Sequence, residues 1–328
     1  MSEKPMRVAM IGAGSRARQV TYPSLAGMPD VQIIAVYDID IARRDAAMKD
    51  FHIPKGNGEG GVNEYRAMIE KEKPDAVFAI GQPHLFYDVW AWILEQGIPL
   101  MIEKPFAITM HQARSLLYMA EKKNVPTQVS FQRRYSPVAA QALEKCRSHG
   151  NIVHAVCRFY KCEMTPFLGA RDHMMDDTVH SIDTVRWMCG GEVTGIESET
   201  KRIQTPDINF ISATLHFDNG SSGYIINSWS SGKRIFAVEM HAPGIFAEVE
   251  HEIGGRIYEN GDVRGVPIDA KAAAHSDRFE VYTGVEAAIA DFFGSIRTGK
   301  RSMSCFQDAV KTMEVAEKIL GQALLNNK

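Results

Sequence analysis

MRVAMIGAGSRARQV, residues 6–20, decides the fold. Its opening run is apolar apart from Arg7 and reads as a buried strand. Gly12, Gly14 and Ala17 follow in a G-x-G-x-x-A pattern, and a helix opens behind them. Each position has a physical reason. Gly12 permits a tight turn, Gly14 lets the backbone approach a pyrophosphate, and Ala17 lets the helix pack closely on the strand. The N-terminus of that helix offers free N–H groups to phosphate oxygens. Ser15 and Arg16 therefore join the candidate cofactor residues.

The pattern carries weight because of what surrounds it. Apolar runs at 7–11, 31–37, 75–80, 99–103 and 127–131 alternate with helical patterns near 15–28, 40–50, 63–72, 85–96 and 109–123. The runs are short, apolar on both faces and bounded by Gly, Pro or Asp, as buried parallel strands are. Residues 1–131 are thus expected to form a doubly wound parallel α/β sheet of the Rossmann type. The second run ends in AVYDID, which puts Asp38 where an acid takes the ribose hydroxyls of NAD. A carboxylate there repels a 2′-phosphate and favours NAD. Arg43 and Arg44, a turn later, are the feature that keeps NADP as an alternative.

Beyond residue 132 the rhythm changes. A helix near 136–148 leads to a strand-like stretch at 151–162. From 192 onward come long polar/apolar alternations separated by turn signals such as FDNGSSG and ENGD. These read as a large, mostly antiparallel open sheet with one covered face. Two helices near 280–297 and 306–325 close the chain. Residues 132–328 are expected to be one α+β domain. It would bind substrate and, through an apolar sheet face, a second copy. A homodimer or homotetramer is expected.

Composition narrows the function. The chain has 328 residues, 45% hydrophobic and 23% charged, with a net charge of -3. That balance gives no reason to expect nucleic acid or an anionic membrane as partner. Five cysteines form no CxxC pair and suit a reducing compartment. No apolar run approaches the roughly 18 residues of a membrane span, and the short N-terminal run is no signal segment. A cytoplasmic location is expected. The histidines at 216, 241, 251 and 275 have no metal-ligand spacing, and no metal is expected.

Three further stretches carry chemistry. PLMIEKPFAI, residues 99–108, ends a predicted strand, and ligands of open α/β sheets bind at carboxyl ends. Glu103 and Lys104 would stand where cofactor and substrate meet. The bland reading is a surface lysine in a strand-end turn. GQPHLF, residues 81–86, follows another strand end, so Gln82 and His84 would border the nicotinamide, although His84 is equally a surface loop residue. DDTVHSIDTVRW, residues 176–187, places Asp176, His180, Asp183 and Trp187 on or near one helical face. Asp177 is read as a helix cap, and Trp187 with Met188 as core.

The chain resembles the glucose–fructose oxidoreductase and inositol dehydrogenase (Gfo/Idh/MocA) family. IGAGSRA, AVYDID, EQGIPLMIEKPFA, FQRRYSP and DDTVHSIDTVRWMCGG occur in the family's order over roughly residues 6 to 191. The resemblance implies that Lys104 is the catalytic lysine and His180 the proton-transferring residue. It implies that Asp176 binds a substrate hydroxyl or supports the histidine, and that Gly12, Gly14 and Asp38 hold the dinucleotide. Thr178 departs from the glycine of many relatives, which puts substrate choice in doubt.

The chemistry fits the residue types. Oxidising a secondary alcohol requires loss of hydride and of the hydroxyl proton. Histidine is matched to that proton near neutral pH, and a lysine cation stabilises the developing alkoxide. Arg133, on FQRRYSP, and Tyr160 and Lys161, on the strand-like stretch, are further substrate candidates, and the facing of the last two is open. For Arg133 and Arg134, domain-linking salt bridges are an equal alternative. The expected activity is NAD(P)-dependent oxidation of a CH–OH group in a sugar, polyol or related cyclic alcohol. The rivals are an NAD-dependent glycosidase with transient oxidation, a dehydrogenase for aromatic dihydrodiols, and a non-catalytic dinucleotide-binding regulator.

Overall fold

The apolar run that opens the chain forms β1 (Met6–Ile11), buried except at Arg7. The computed structural model describes residues 4–56, 61–166 and 172–326. β1 pairs in parallel with β2 (Val31–Tyr37) and with β3 (Ala76–Ala79). β4 (Leu100–Ile102) and β5 (Thr127–Val129) extend the parallel sheet to the order β2-β1-β3-β4-β5. The strands coincide with the runs read from sequence to within two residues. Between them lie α1 (Tyr22–Ala26), α2 (Ile41–Asp50), α3 (Glu64–Glu72), α4 (Pro83–Glu95) and α5 (Met110–Lys123). Their ends follow local chemistry. Asp40 caps α2 by accepting from Ala42 N and Arg43 N, and Thr109 caps α5 by accepting from Gln112 N.

The first helix departs from a regular pattern. Ala17–Thr21 form a π-turn ahead of α1. Pro23 has no N–H to give to the carbonyl four residues back, and a widened turn absorbs that loss. Gly12 is required by its backbone. Its φ is +99°, and an added Cβ would sit 2.2 Å from the carbonyl oxygen of Ile80. A Cβ on Gly14 would meet nothing within 4 Å, so the space above that residue is open.

The chain forms two compact units. The first runs through Ser130 and includes Val285–Val310. The second is Phe131–Gly284 with the chain from Lys311 onward. In the second unit α6 (Pro137–Arg147), β6 (His154–Cys162) and α7 (Val179–Cys189) precede β7 (Val193–Lys201) and β8 (Phe210–Phe217). Then come β9 (Ser222–Ser228), β10 (Ser230–Ala242), β11 (Ile245–Glu250), β12 (Gly254–Glu259) and β13 (Val266–Asp269). The eight strands lie in the order β13-β12-β11-β10-β6-β9-β8-β7, antiparallel except for the β6/β9 pair. The Rossmann sheet plus α+β sheet expected from the sequence is the fold observed.

β6 and β9 show how the second sheet divides its faces. Ala155, Cys157 and Phe159 pair with Gly223, Ile225 and Asn227, and these residues are buried. A Cβ on Gly223 would strike Val185 of α7, so this is the face that α7 covers. His154, Val156, Arg158 and Tyr160 point to the other face and are half-buried.

After α8 (Ala270–Ala274) and α9 (Phe279–Tyr282), α10 (Val285–Thr298) rejoins the first unit. Its stripe of Ile289, Phe292 and Phe293 enters the core with Val8, Met10 and Phe78. The Phe78 and Phe292 rings meet edge-on at 5.7 Å. The contiguous assignment of 132–328 to one domain does not include this return, because an apolar stripe does not state which sheet it covers. α11 (Phe306–Asn326) closes the chain, and its Gln322 donates to Ile196 O of β7 at 2.8 Å.

Two outcomes follow. Gly12→Ala is expected to destabilise the protein by at least about 2 kcal/mol, whereas Gly14→Ala stays within about 0.5 kcal/mol of wild type by denaturant unfolding. His251 is 2% exposed, and burial, then the Arg133 cation, push its pKa down to about 3. The folded state therefore holds it neutral. Its contribution is complete above about pH 6.5 and is lost as pH falls toward about 3, at up to about 1.4 kcal/mol per pH unit. His251→Gln should flatten the fall of stability between pH 6.5 and pH 4. An unchanged slope contradicts the assignment.

Candidate active site

In the first unit the glycine loop is held by Asp38. Its carboxylate is 7% exposed and accepts from Ala13 N at 2.6 Å and from Asp40 N at 2.8 Å. The Tyr22 hydroxyl donates to Gly12 O at 3.2 Å, and burial, then the Asp38 charge, raise its pKa. The acid expected at the ribose is thus also the clasp of the phosphate loop. Ser15 is exposed and Gln82 half-buried, the latter at the N-terminus of α4. Arg43 pairs with Asp40 at 3.1 Å and Arg44 with Asp45 at 2.6 Å, so both arginines are engaged on α2. A cavity of about 690 Å³ lies beside the loop, lined by Ala13, Ser15, Arg18, Gln19, Arg43 and Phe51 among others.

Lys104 leaves β4 at the sheet end where Gly12 leaves β1, because all five strands are parallel. Its neighbour Glu103 is 7% exposed and accepts from Arg16 Nε at 3.2 Å. That bond ties the Glu-Lys-Pro turn to the start of the phosphate-loop helix. The Lys104–Pro105 peptide is cis.

In the second unit, Met174–Thr178 form a π-turn that runs into α7. A π-turn winds less per residue than an α-helix, whose four residues turn through about 400°. Four residues across this boundary therefore come closer to one full turn, which puts Asp176 and His180 on one side of the helix. His180 is 6% exposed, and its ring meets Phe131 edge-on at 6.0 Å. Asp172, not Asp177, caps the turn, by accepting from Met175 N at 2.8 Å.

Asp177 does different work. It accepts from Trp229 Nε1 at 2.9 Å and pairs with Lys161 Nζ at 2.7 Å. His173 stacks on Trp229 at 4.2 Å. Thr178, fully buried, donates to His173 O at 3.2 Å and accepts from Asn227 Nδ2 at 3.0 Å. Its side chain ties the π-turn to β9 through Asn227. One turn on, Asp183 is 1% exposed and takes the Arg134 guanidinium through both oxygens. Arg134 thus forms a salt bridge within the second unit, not one that links two domains. Trp187 is only half-buried, while Met188 is fully buried.

Two substrate candidates end up in unexpected places. Tyr160 lies on the sheet face opposite α7, away from Asp176 and His180, which corrects the expectation that it contacts substrate. The other candidate of that strand, Lys161, is the one on the α7 face. Ala155, Cys157 and Phe159 mark the buried parity, and Lys161 continues it. Arg133 is 8% exposed, with its guanidinium 3.5 Å from the Phe236 ring centroid and 5.5 Å from that of Phe159. Burial pushes its pKa down to about 10.

Known proteins match this arrangement. The family profile described as "Oxidoreductase family, NAD-binding Rossmann fold" matches residues 6–131, and the GFO/IDH/MocA C-terminal domain profile matches residues 145–242. The rhizopine catabolism protein MocA of Rhizobium meliloti is 26% identical, over 95% of this chain and 93% of that protein. The D-glucoside 3-dehydrogenase of Escherichia coli is 30% identical, over 44% of this chain and 40% of its own. The structure of a levoglucosan dehydrogenase, in complex with NADH and levoglucosan, superposes with a TM-score of 0.84 at 17% identity, covering 98% of each chain. Both domain profiles come from one family and fall in its order on the two units described, so the chain belongs to the Gfo/Idh/MocA oxidoreductase family.

Proposed function

We propose that the protein is a dehydrogenase that reversibly oxidises a CH–OH group of a sugar, polyol or related cyclic alcohol with NAD. One observation carries the reading. Lys104 stands at the sheet end that holds the glycine loop, and the Glu103–Arg16 bond joins the two turns. The relatives named for D-glucoside and levoglucosan oxidation support the substrate class. The residues suit the dinucleotide. The space above Gly14 is open to a pyrophosphate, and the Asp38 carboxylate fixes the loop around it.

NAD, when bound, accepts the hydride. The chain supplies the rest. The Lys104 ammonium stabilises negative charge that develops on the substrate oxygen. His180 receives the hydroxyl proton, and Asp176, one turn before it, orients the imidazole or a neighbouring hydroxyl. Gly12, Gly14, Ser15, Arg16, Asp38 and Gln82 hold the cofactor. The same reading has copies of the chain associate through the sheet face that carries His154, Val156 and Arg158. Sedimentation at micromolar concentration separates dimer from tetramer.

The test is a sugar and polyol panel followed at the NADH absorbance, with NAD and with NADP. Reduction with at least one neutral or acidic sugar is expected. A protein that reduces neither nucleotide and binds neither contradicts the proposal. Lys104→Ala and His180→Ala should each lower kcat by about 10²- to 10⁴-fold while NAD affinity by titration calorimetry stays within a few-fold. Gly14→Val should do the reverse, weakening NAD first, since its side chain fills the open space over the loop.

A further inference from the structure

Among the described residues no carboxylate forms an ion pair with the Arg133 cation. Its guanidinium is buried, and Nε has no hydrogen-bond partner among the described residues. The groups whose charge reaches it are each accounted for. The Cys157 thiol is pushed up to about 12 by burial and stays neutral. Glu252 pairs with Arg234 at 3.4 Å, and Asp177 pairs with Lys161 at 2.7 Å. His251, in the same pocket of the sheet, is held neutral by burial. The next residue in the chain shows the contrast, since Arg134 receives the whole Asp183 carboxylate. Phe236, 3.5 Å below the guanidinium, offsets part of the cost of burying this charge but offers no acceptor.

The position suits a ligand. Arg133 and Lys161 border one ring, Phe159, at 5.5 Å and 5.4 Å from its centroid. Lys161 is in turn bonded to Asp177, which adjoins Asp176 and precedes His180 by less than a turn. We infer that Arg133 is a carboxylate-recognition subsite and that the alcohol oxidised by this protein is a hydroxy acid, a sugar acid or an acidic polyol. The inference rests on the dehydrogenase reading for the oxidation but not for the binding. A guanidinium edge presents two parallel N–H donors that match the two oxygens of a planar carboxylate. A phosphate, with three oxygens, would call on Lys161 as well, and Lys161 is already held between Asp177 and Glu163.

Matched ligand pairs decide the matter. Titration calorimetry of the NAD-loaded protein with glucose and glucuronate, galactose and galacturonate, and glucose 6-phosphate should show an acid at least about ten-fold tighter than its neutral partner. Arg133→Met should bring that ratio close to one, and Arg133→Lys should retain part of it. Equal affinity within both pairs, no measurable binding of either acid, tighter binding of the phosphate, or an unchanged ratio in Arg133→Met overturns the inference. The wild-type pairs decide it even where a variant fails to fold. A protein that oxidises neutral sugars without preferring acids loses this inference and keeps the dehydrogenase reading. One that binds the acids through Arg133 but reduces no nicotinamide does the opposite.

Discussion

A single buried carboxylate, Asp177, holds the end of the second unit that matters most. It accepts the Trp229 indole N–H and the Lys161 ammonium, which joins the π-turn to β6 and to the end of β9. Without it, the buried Trp229 indole N–H would be unsatisfied, Lys161 would keep only Glu163 at 3.4 Å, and the turn that carries Asp176 and His180 would lose one attachment to the sheet. Thr178 and Ser181 add a second attachment through Asn227, and the Asp183–Arg134 pair adds a third. The role proposed for His180 requires such a support, because small displacements of a proton-transferring group are costly in rate.

The first unit uses the same device with another acid. Asp38 spends its two oxygens on N–H groups of the glycine loop and of its own turn. The loop is therefore shaped by the same residue that is proposed to select the cofactor. Glu103 repeats the logic at the next turn by taking Arg16. Acids in this protein are mostly consumed in fixing backbone or cations. Arg133 stands out because no acid among the described residues pairs with it.

Most of the fold was legible in the sequence because buried parallel strands write short apolar runs between punctuating residues. The glycine loop, Asp38 and the Glu-Lys-Pro turn all fell where the motif placed them. What was not legible shares one cause, which is that a pattern gives a face but not what the face meets. The stripe of α10 was plain, yet nothing in it named the first sheet as its partner. Asp177 matched a helix cap by type, but Asp172 had the geometry for it. Tyr160 and Lys161 differed only in parity, and the apolar alternation before them already fixed which one joins the α7 face. The π-turn at Met174–Thr178 had no signature, and it sets how Asp176 and His180 align.

The proposed chemistry requires Lys104 and His180 to act on one substrate. A double-mutant cycle on kcat with Lys104→Ala, His180→Ala and their combination measures this directly. Groups that serve one transition state are strongly non-additive. The combined variant is expected to fall no more than about ten-fold below the worse single variant. Losses that multiply, or wild-type turnover in either single variant, would contradict the account.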